Sequence, residues 1–260
     1  MPILHDFGDS QEARRHRQAQ KLASLQPRGV SMKRIVPIIV ALAVPLAGCG
    51  QGSPAHKDQT AATNVAPSAA VTRSDRLLAA AEPFEKLTET AFSATVPVLD
   101  ATIGEARTAA DSVRDVLGPA NVRSIDGLLV DLARHRQSEK RADIALASIE
   151  IYQKLVSAVL TSTGIPSAVS LLDYAGFRYQ ADLKATPVRW QDMTEAMRFA
   201  RVQWALVSPQ LTASPLAATF EAALVDMEQA IAARDATAAA KAVVTELDLV
   251  DQLEGYFDKH

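Results

Sequence analysis

Trp190-Gln191-Asp192-Met193-Thr194-Glu195-Ala196-Met197-Arg198-Phe199-Ala200-Arg201-Val202-Gln203-Trp204-Ala205-Leu206-Val207 sets Trp190, Met193, Met197, Ala200, Trp204 and Val207 at successive steps of 3, 4, 3, 4 and 3. That alternation is the period of an α-helix with one seam of large side chains turned to a core. Thr186-Pro187 ahead of it offers an N-cap and a proline at the first helical position, and Ser208-Pro209 marks its end. A sustained period of two, the mark of a half-buried strand, is found nowhere along the chain.

Working outward, the same helical reading extends in both directions. Downstream, Ser214-Pro215 opens a helix carrying Leu216, Phe220, Leu224, Met227 and Ile231. Asp235 is the expected N-cap of a last helix over 235–258 with Val243, Leu247, Val250, Leu253 and Phe257 inside. Upstream, residues 167–184 align Val169, Leu172, Gly176, Tyr179 and Leu183. Residues 138–161 are apolar on two sides, which predicts a central helix. A helix is expected from about Ser124 with Ile125, Leu128, Leu129 and Leu132, and a long segment over 74–117 is expected to kink or split at Pro97 and to end at Gly118-Pro119. Short connections favour antiparallel neighbours. The expectation is therefore an all-α fold: a single up-and-down helical bundle of six or seven antiparallel helices over residues 74–260, behind a flexible N-terminal tether. No convincing repeat of roughly 30 to 45 residues, as in helical solenoids, is visible.

The segment ahead of the bundle has a different character. Met32-Lys33-Arg34 precedes an apolar run, Ile35 to Leu46, broken by Pro37 and Pro45, and the run closes on Leu46-Ala47-Gly48-Cys49. A basic start, a short apolar middle and small residues before a cut site are the layout of a secretory signal peptide. The run is too short for a membrane span, which needs roughly 20 apolar residues. With cysteine directly after Leu-Ala-Gly, residues 32–48 closely resemble the lipobox signal of bacterial lipoproteins. That resemblance implies acylation of Cys49, cleavage between Gly48 and Cys49, and a protein anchored to the cell envelope by its lipid and facing the periplasm. Gly50, where aspartate would favour the inner membrane, leans toward the outer one. Residues 1–31 fit no part of this layout; translation from Met32 is the simplest reading, and an extended segment that is cut away is the other. Residues 49–73, rich in Ala, Ser, Thr, Gly and Pro, carry no apolar period and read as a lipidated cysteine and disordered tether.

Composition then limits the chemistry. The segment up to Gly48 holds seven Lys and Arg against three Asp and Glu, so the 27 basic and 30 acidic residues of the whole chain become 20 and 27 beyond it. The mature net charge is about −7, whereas nucleic-acid binding needs a basic surface, and no nucleic-acid partner is expected. Cys49 is the only cysteine, so a lipidated chain has neither a disulfide nor a thiol nucleophile. No zinc, phosphate-loop, EF-hand, c-type haem or serine-elbow motif occurs in the mature chain, and no cofactor or metal is expected. Asp131 with His135, four residues apart, could share a metal, yet Arg134, Arg136, Lys140 and Arg141 crowd them with positive charge. The acidic pairs Glu85/Glu89, Asp111/Asp115, Asp248/Asp251 and Asp251/Glu254 read as solvated faces.

One region stands out. Asp173-Tyr174-Ala175-Gly176-Phe177-Arg178-Tyr179 gathers three aromatics, an acid and an arginine around a glycine in a chain that is only 5% aromatic. Trp190 and Trp204 lie on the next helix. Asp173, Tyr174, Phe177, Arg178, Tyr179, Trp190 and Trp204 are thus candidates for a ligand or partner site, with Arg178 clamping a carboxylate or pairing with Asp173. The alternative is that the rings fill the core. The expected function is a non-enzymatic binding or scaffold protein for an envelope partner; the second reading is a periplasmic small-ligand or metal-binding protein. Cys49→Ser is expected to abolish acyl labelling of the chain in its native membrane, read by incorporation of a clickable fatty acid.

Overall fold

The computed structural model describes residues 69–160, 164–212 and 215–259. The N-terminal extension, the signal segment, Gly48, Cys49 and the tether up to residue 68 lie outside the described residues. Among the described residues eight α-helices follow one another: α1 (Ala69–Thr90), α2 (Val96–Asp111), α3 (Pro119–Gln137), α4 (Arg141–Ser157), α5 (Ser167–Leu183), α6 (Trp190–Val207), α7 (Leu216–Ala233) and α8 (Ala236–Phe257). No strand occurs among the described residues, and no helix there is long and apolar enough to cross a membrane.

The boundaries show how proline and capping act. The long segment expected over 74–117 is two helices, because Pro97 lies in the first turn of α2, where its missing N–H has no intrahelical acceptor to serve. α1 begins at Ala69, ahead of the boundary expected at 74; Ala69-Ala70 are strong helix formers. Pro83, inside α1, deprives the Ala79 carbonyl of its donor, and Ala79 is exposed to water that can replace it. α3 starts at Pro119, ahead of Ser124, with Gly118 as its N-cap, so the pair that ends one segment also opens the next. Thr186-Pro187 does not open α6. Its peptide bond is cis and the helix starts at Trp190, the turn being closed by the Arg189 N–H donating to the Asp182 carbonyl at 3.1 Å. Asp235 caps α8 as expected: its carboxylate accepts from the backbone N–H groups of Thr237 and Ala238 at 2.9 and 3.0 Å.

The helices fall into two sets of four with similar neighbour patterns, the second having a further α6–α7 contact. In residues 69–157, α1 packs on α2 and on α4, and α3 packs on α4; in residues 167–257, α5 packs on α6 and on α8, and α7 packs on α8. The two sets meet where α4 packs on α5. This architectural repeat is much longer than the solenoid periods for which the sequence shows no convincing sign. α4 is central as expected, its Ser148 hydroxyl donating to the Phe84 carbonyl of α1 at 2.7 Å. At the other end of that contact the Arg141 guanidinium donates to the carbonyls of Ala91 and Ala94, just past the end of α1, at 2.9 and 3.0 Å. Surface pairs such as Arg136 with Asp100 and Arg114 with Asp126 link α3 to α2 and its following turn.

Gly176 permits the closest approach in the second set. A Cβ there would lie 2.1 Å from Glu246 Oε2 and 2.7 Å from Leu247 Cδ2 of α8. Both atoms end flexible side chains, but Glu246 and Leu247 are buried and have no open space to enter. Gly104 and Gly127, on exposed faces of α2 and α3, have nothing within 4 Å. Gly176→Ala is expected to lose about 1 kcal/mol net, overpacking exceeding the helix-propensity gain, while Gly104→Ala gains up to about 1 kcal/mol. Urea denaturation of the two variants checks the opposite signs.

Candidate functional site

The seven candidate residues do not converge on one cleft. Tyr174 and Arg178 turn toward α4: the Tyr174 hydroxyl donates to Glu150 Oε1 at 2.8 Å, and Arg178 Nη1 donates to the Tyr174 oxygen at 2.9 Å while lying 3.5 Å from Glu150. Glu150 of α4, the preceding helix, rather than Asp173 is thus the partner of Arg178. Asp173 faces elsewhere, joining Glu85 of α1 and Glu254 of α8 near the buried Tyr152 hydroxyl, whose proton is held well above the usual phenol range by burial and by these carboxylates. Tyr179 is fully buried and donates to the Met227 carbonyl of α7 at 3.2 Å. Phe177 is buried in the core and Trp190 packs against it partly buried. Trp204 stacks on Phe220 of α7 with centroids 4.5 Å apart and donates from Nε1 to Glu221 Oε2 at 2.8 Å.

A different set of groups does converge. The end of α3, the start of α4, the end of α5 and the start of α6 meet beside the Glu150–Tyr174–Arg178 chain. Here Arg189, just ahead of α6, donates to Asp143 of α4. His135 Nδ1 of α3 lies 3.7 Å from the other oxygen of Asp143. Asp131, the partner considered for His135 from sequence spacing, pairs with Arg134. Burial opposes the Asp143 charge, but Arg189, His135 and Lys140 outweigh it and hold the carboxyl below its ordinary range.

Asp182 is the exception in this network. It is 1% exposed, both carboxylate oxygens are without a hydrogen bond, and its closest cation is Arg189 Nη1 at 3.9 Å. A native structure satisfies nearly all its buried polar atoms, so an acid left this way is costly when ionised. Burial first, then Asp192 and Glu150, push the carboxyl up to about 7, against the pull of Arg178 and Arg189. Tyr174, Arg178 and Asp182 recur every four residues, a polar stripe on an otherwise apolar helix that sequence reading could have isolated. Their partners Glu150, Asp143 and Arg189 carried no such mark, because they come from other helices.

Among the described residues no group of three or more His, Cys, Asp or Glu side chains is placed to hold a metal ion. No family model matches the chain, and no curated protein and no solved structure is significantly similar to it.

The raised Asp182 value fixes the sign of a stability effect. Between the ordinary carboxylate range and about pH 7 the folded state holds a proton that the unfolded state has released, so stability is complete below that window and falls as pH rises through it. Asp182→Asn, which stays neutral, is expected to match the wild type near pH 4 and to exceed it by on the order of 2 kcal/mol at pH 8. Thermal melts across that range measure the difference.

Proposed function

We propose that this chain is a lipid-anchored helical bundle of the bacterial cell envelope that binds or scaffolds a partner protein without turning over a substrate. The observation that carries the reading is Leu46-Ala47-Gly48-Cys49 at the end of a signal-like segment, which resembles a lipobox and would hold the domain to a membrane by an acylated Cys49. The tether-like composition of residues 50–68 fits a domain that reaches a partner beyond the lipid surface.

The side-chain chemistry of the bundle is consistent with that role. Arginines and acids that would serve as clamps or proton carriers in an enzyme are engaged in tying helices together. Arg201 of α6 holds Glu221 and Glu228 of α7, Arg178 holds Tyr174 and Glu150, and Arg189 holds Asp143. Such ties hold neighbouring helices in register, so each set presents a fixed outer face of the kind a docking module requires.

Chemical cross-linking in the native membrane, followed by purification and mass analysis, tests the reading. A discrete protein adduct is expected from the wild type, reduced about tenfold or more in Cys49→Ser, because losing the anchor lowers the effective concentration at the membrane. Tyr174→Ala combined with Arg178→Ala is expected to leave the adduct intact. A bound small molecule or metal with no protein adduct would establish the ligand-binding function instead.

A further inference from the structure

The polar ties across the contact between the two four-helix sets are few, and one of them, Arg189, has two acids within reach. Arg189 belongs to the second set, as does Asp182. Asp143, which Arg189 engages, belongs to the first. We propose that Asp182 and Asp143 compete for the Arg189 guanidinium across this junction, so that the proton on Asp182 governs how tightly the two four-helix sets are tied. The proposal does not depend on the partner-binding function.

The geometry supplies both arrangements. With Asp182 protonated, its buried side chain is neutral, and Arg189 remains with Asp143 as the structure shows. With Asp182 ionised, a buried carboxylate with no hydrogen bond faces Arg189 Nη1 from 3.9 Å. A shift of about 1 Å brings that pair to charge-assisted hydrogen-bond distance. Arg189 faces the two acids with different nitrogens, Nη2 on Asp143 and Nη1 toward Asp182, so moving the guanidinium about 1 Å toward Asp182 lengthens its bond to Asp143. Asp143 is then left with His135 at 3.7 Å and with the field of Lys140.

The other charged groups facing Asp182 define the response. Glu150 of α4 and Asp192 of α6 disfavour its charge, while Arg178 of α5 favours it but is already occupied by Tyr174 and Glu150. Arg189, which bonds Asp143 through Nη2 and faces Asp182 with Nη1, is therefore the cation placed to answer. Asp182 releases its proton around pH 7, so the exchange falls where modest acidification of the surroundings alters it. The Glu150–Tyr174–Arg178 chain also joins α4 to α5 and keeps the sets together in both arrangements.

Spin labels on the exposed faces of α3 and α6, introduced as Val130→Cys and Val202→Cys in the full chain carrying Cys49→Ser, place one probe on each set. The expected distance distribution is narrow at about pH 5.5 and about twofold broader at about pH 8.5, with its midpoint near the Asp182 titration. Asp182→Asn is expected to stay narrow at both values, Arg189→Gln to be broad at both, and His135→Gln to respond like the wild type. Equal widths in the wild type at the two pH values overturn the proposal, as does a pH response that survives Asp182→Asn or disappears with His135→Gln. Should Asp182→Asn lose helicity, the Arg189→Gln chain still decides, because a pH-dependent narrowing without the guanidinium contradicts the competition.

Discussion

The packing of α4 on α5 is the contact on which the remaining architecture rests, because each is the innermost helix of its own four-helix set. α5 buries twelve of its seventeen residues, and α4 buries side chains from Ile144 to Val156 on more than one face. A helix buried on all sides can only be stable if its neighbours surround it. α1, α3 and α5 surround α4, and α4, α6 and α8 surround α5. Removing the contact between them would expose apolar surface on both helices at once, which is why the two sets form one body although each has its own complete neighbour pattern.

Polar groups within that contact limit how it can pack. An apolar seam tolerates many registers, whereas a buried hydrogen bond tolerates few. Tyr174 and Arg178 reach Glu150 only when α5 is at one height along α4, and Arg189 reaches Asp143 only when the turn after α5 returns at one place. Ser148 plays the same part between α4 and α1 through the Phe84 carbonyl. Asp182 departs from this pattern of satisfied groups, and it sits where the two sets join.

The sequence was most legible where one helix contained the whole signal. The Trp190 to Val207 seam, the Asp235 cap and the apolar girth of 138–161 each depend on residues within a turn or two of one another. Boundaries set by proline are legible in part. Pro97 was expected to kink or split a helix and separates two, while Thr186-Pro187 occupies a turn that Arg189 and Asp182 close. The aromatic cluster at 173–179 was visible as an anomaly of composition, but its side chains point around the full circumference of α5. Spacing along a buried helix distributes neighbours in sequence among different neighbours in space, so Tyr174 and Tyr179 meet α4 and α7 respectively.

Hydrophobic period, proline placement and low aromatic content by themselves determined that the chain is helical and where most helices run, since those depend on local backbone preference and on which face is apolar. The resemblance of Leu46-Ala47-Gly48-Cys49 to a lipobox likewise rests on contiguous residues alone. Only the tertiary structure decided that eight helices divide into two similar sets, that Arg178 belongs to Glu150, and that Asp182 lies buried within reach of Arg189. Those facts depend on which helices meet and at what height, and the long-range packing that settles this leaves no period in the sequence of any one helix.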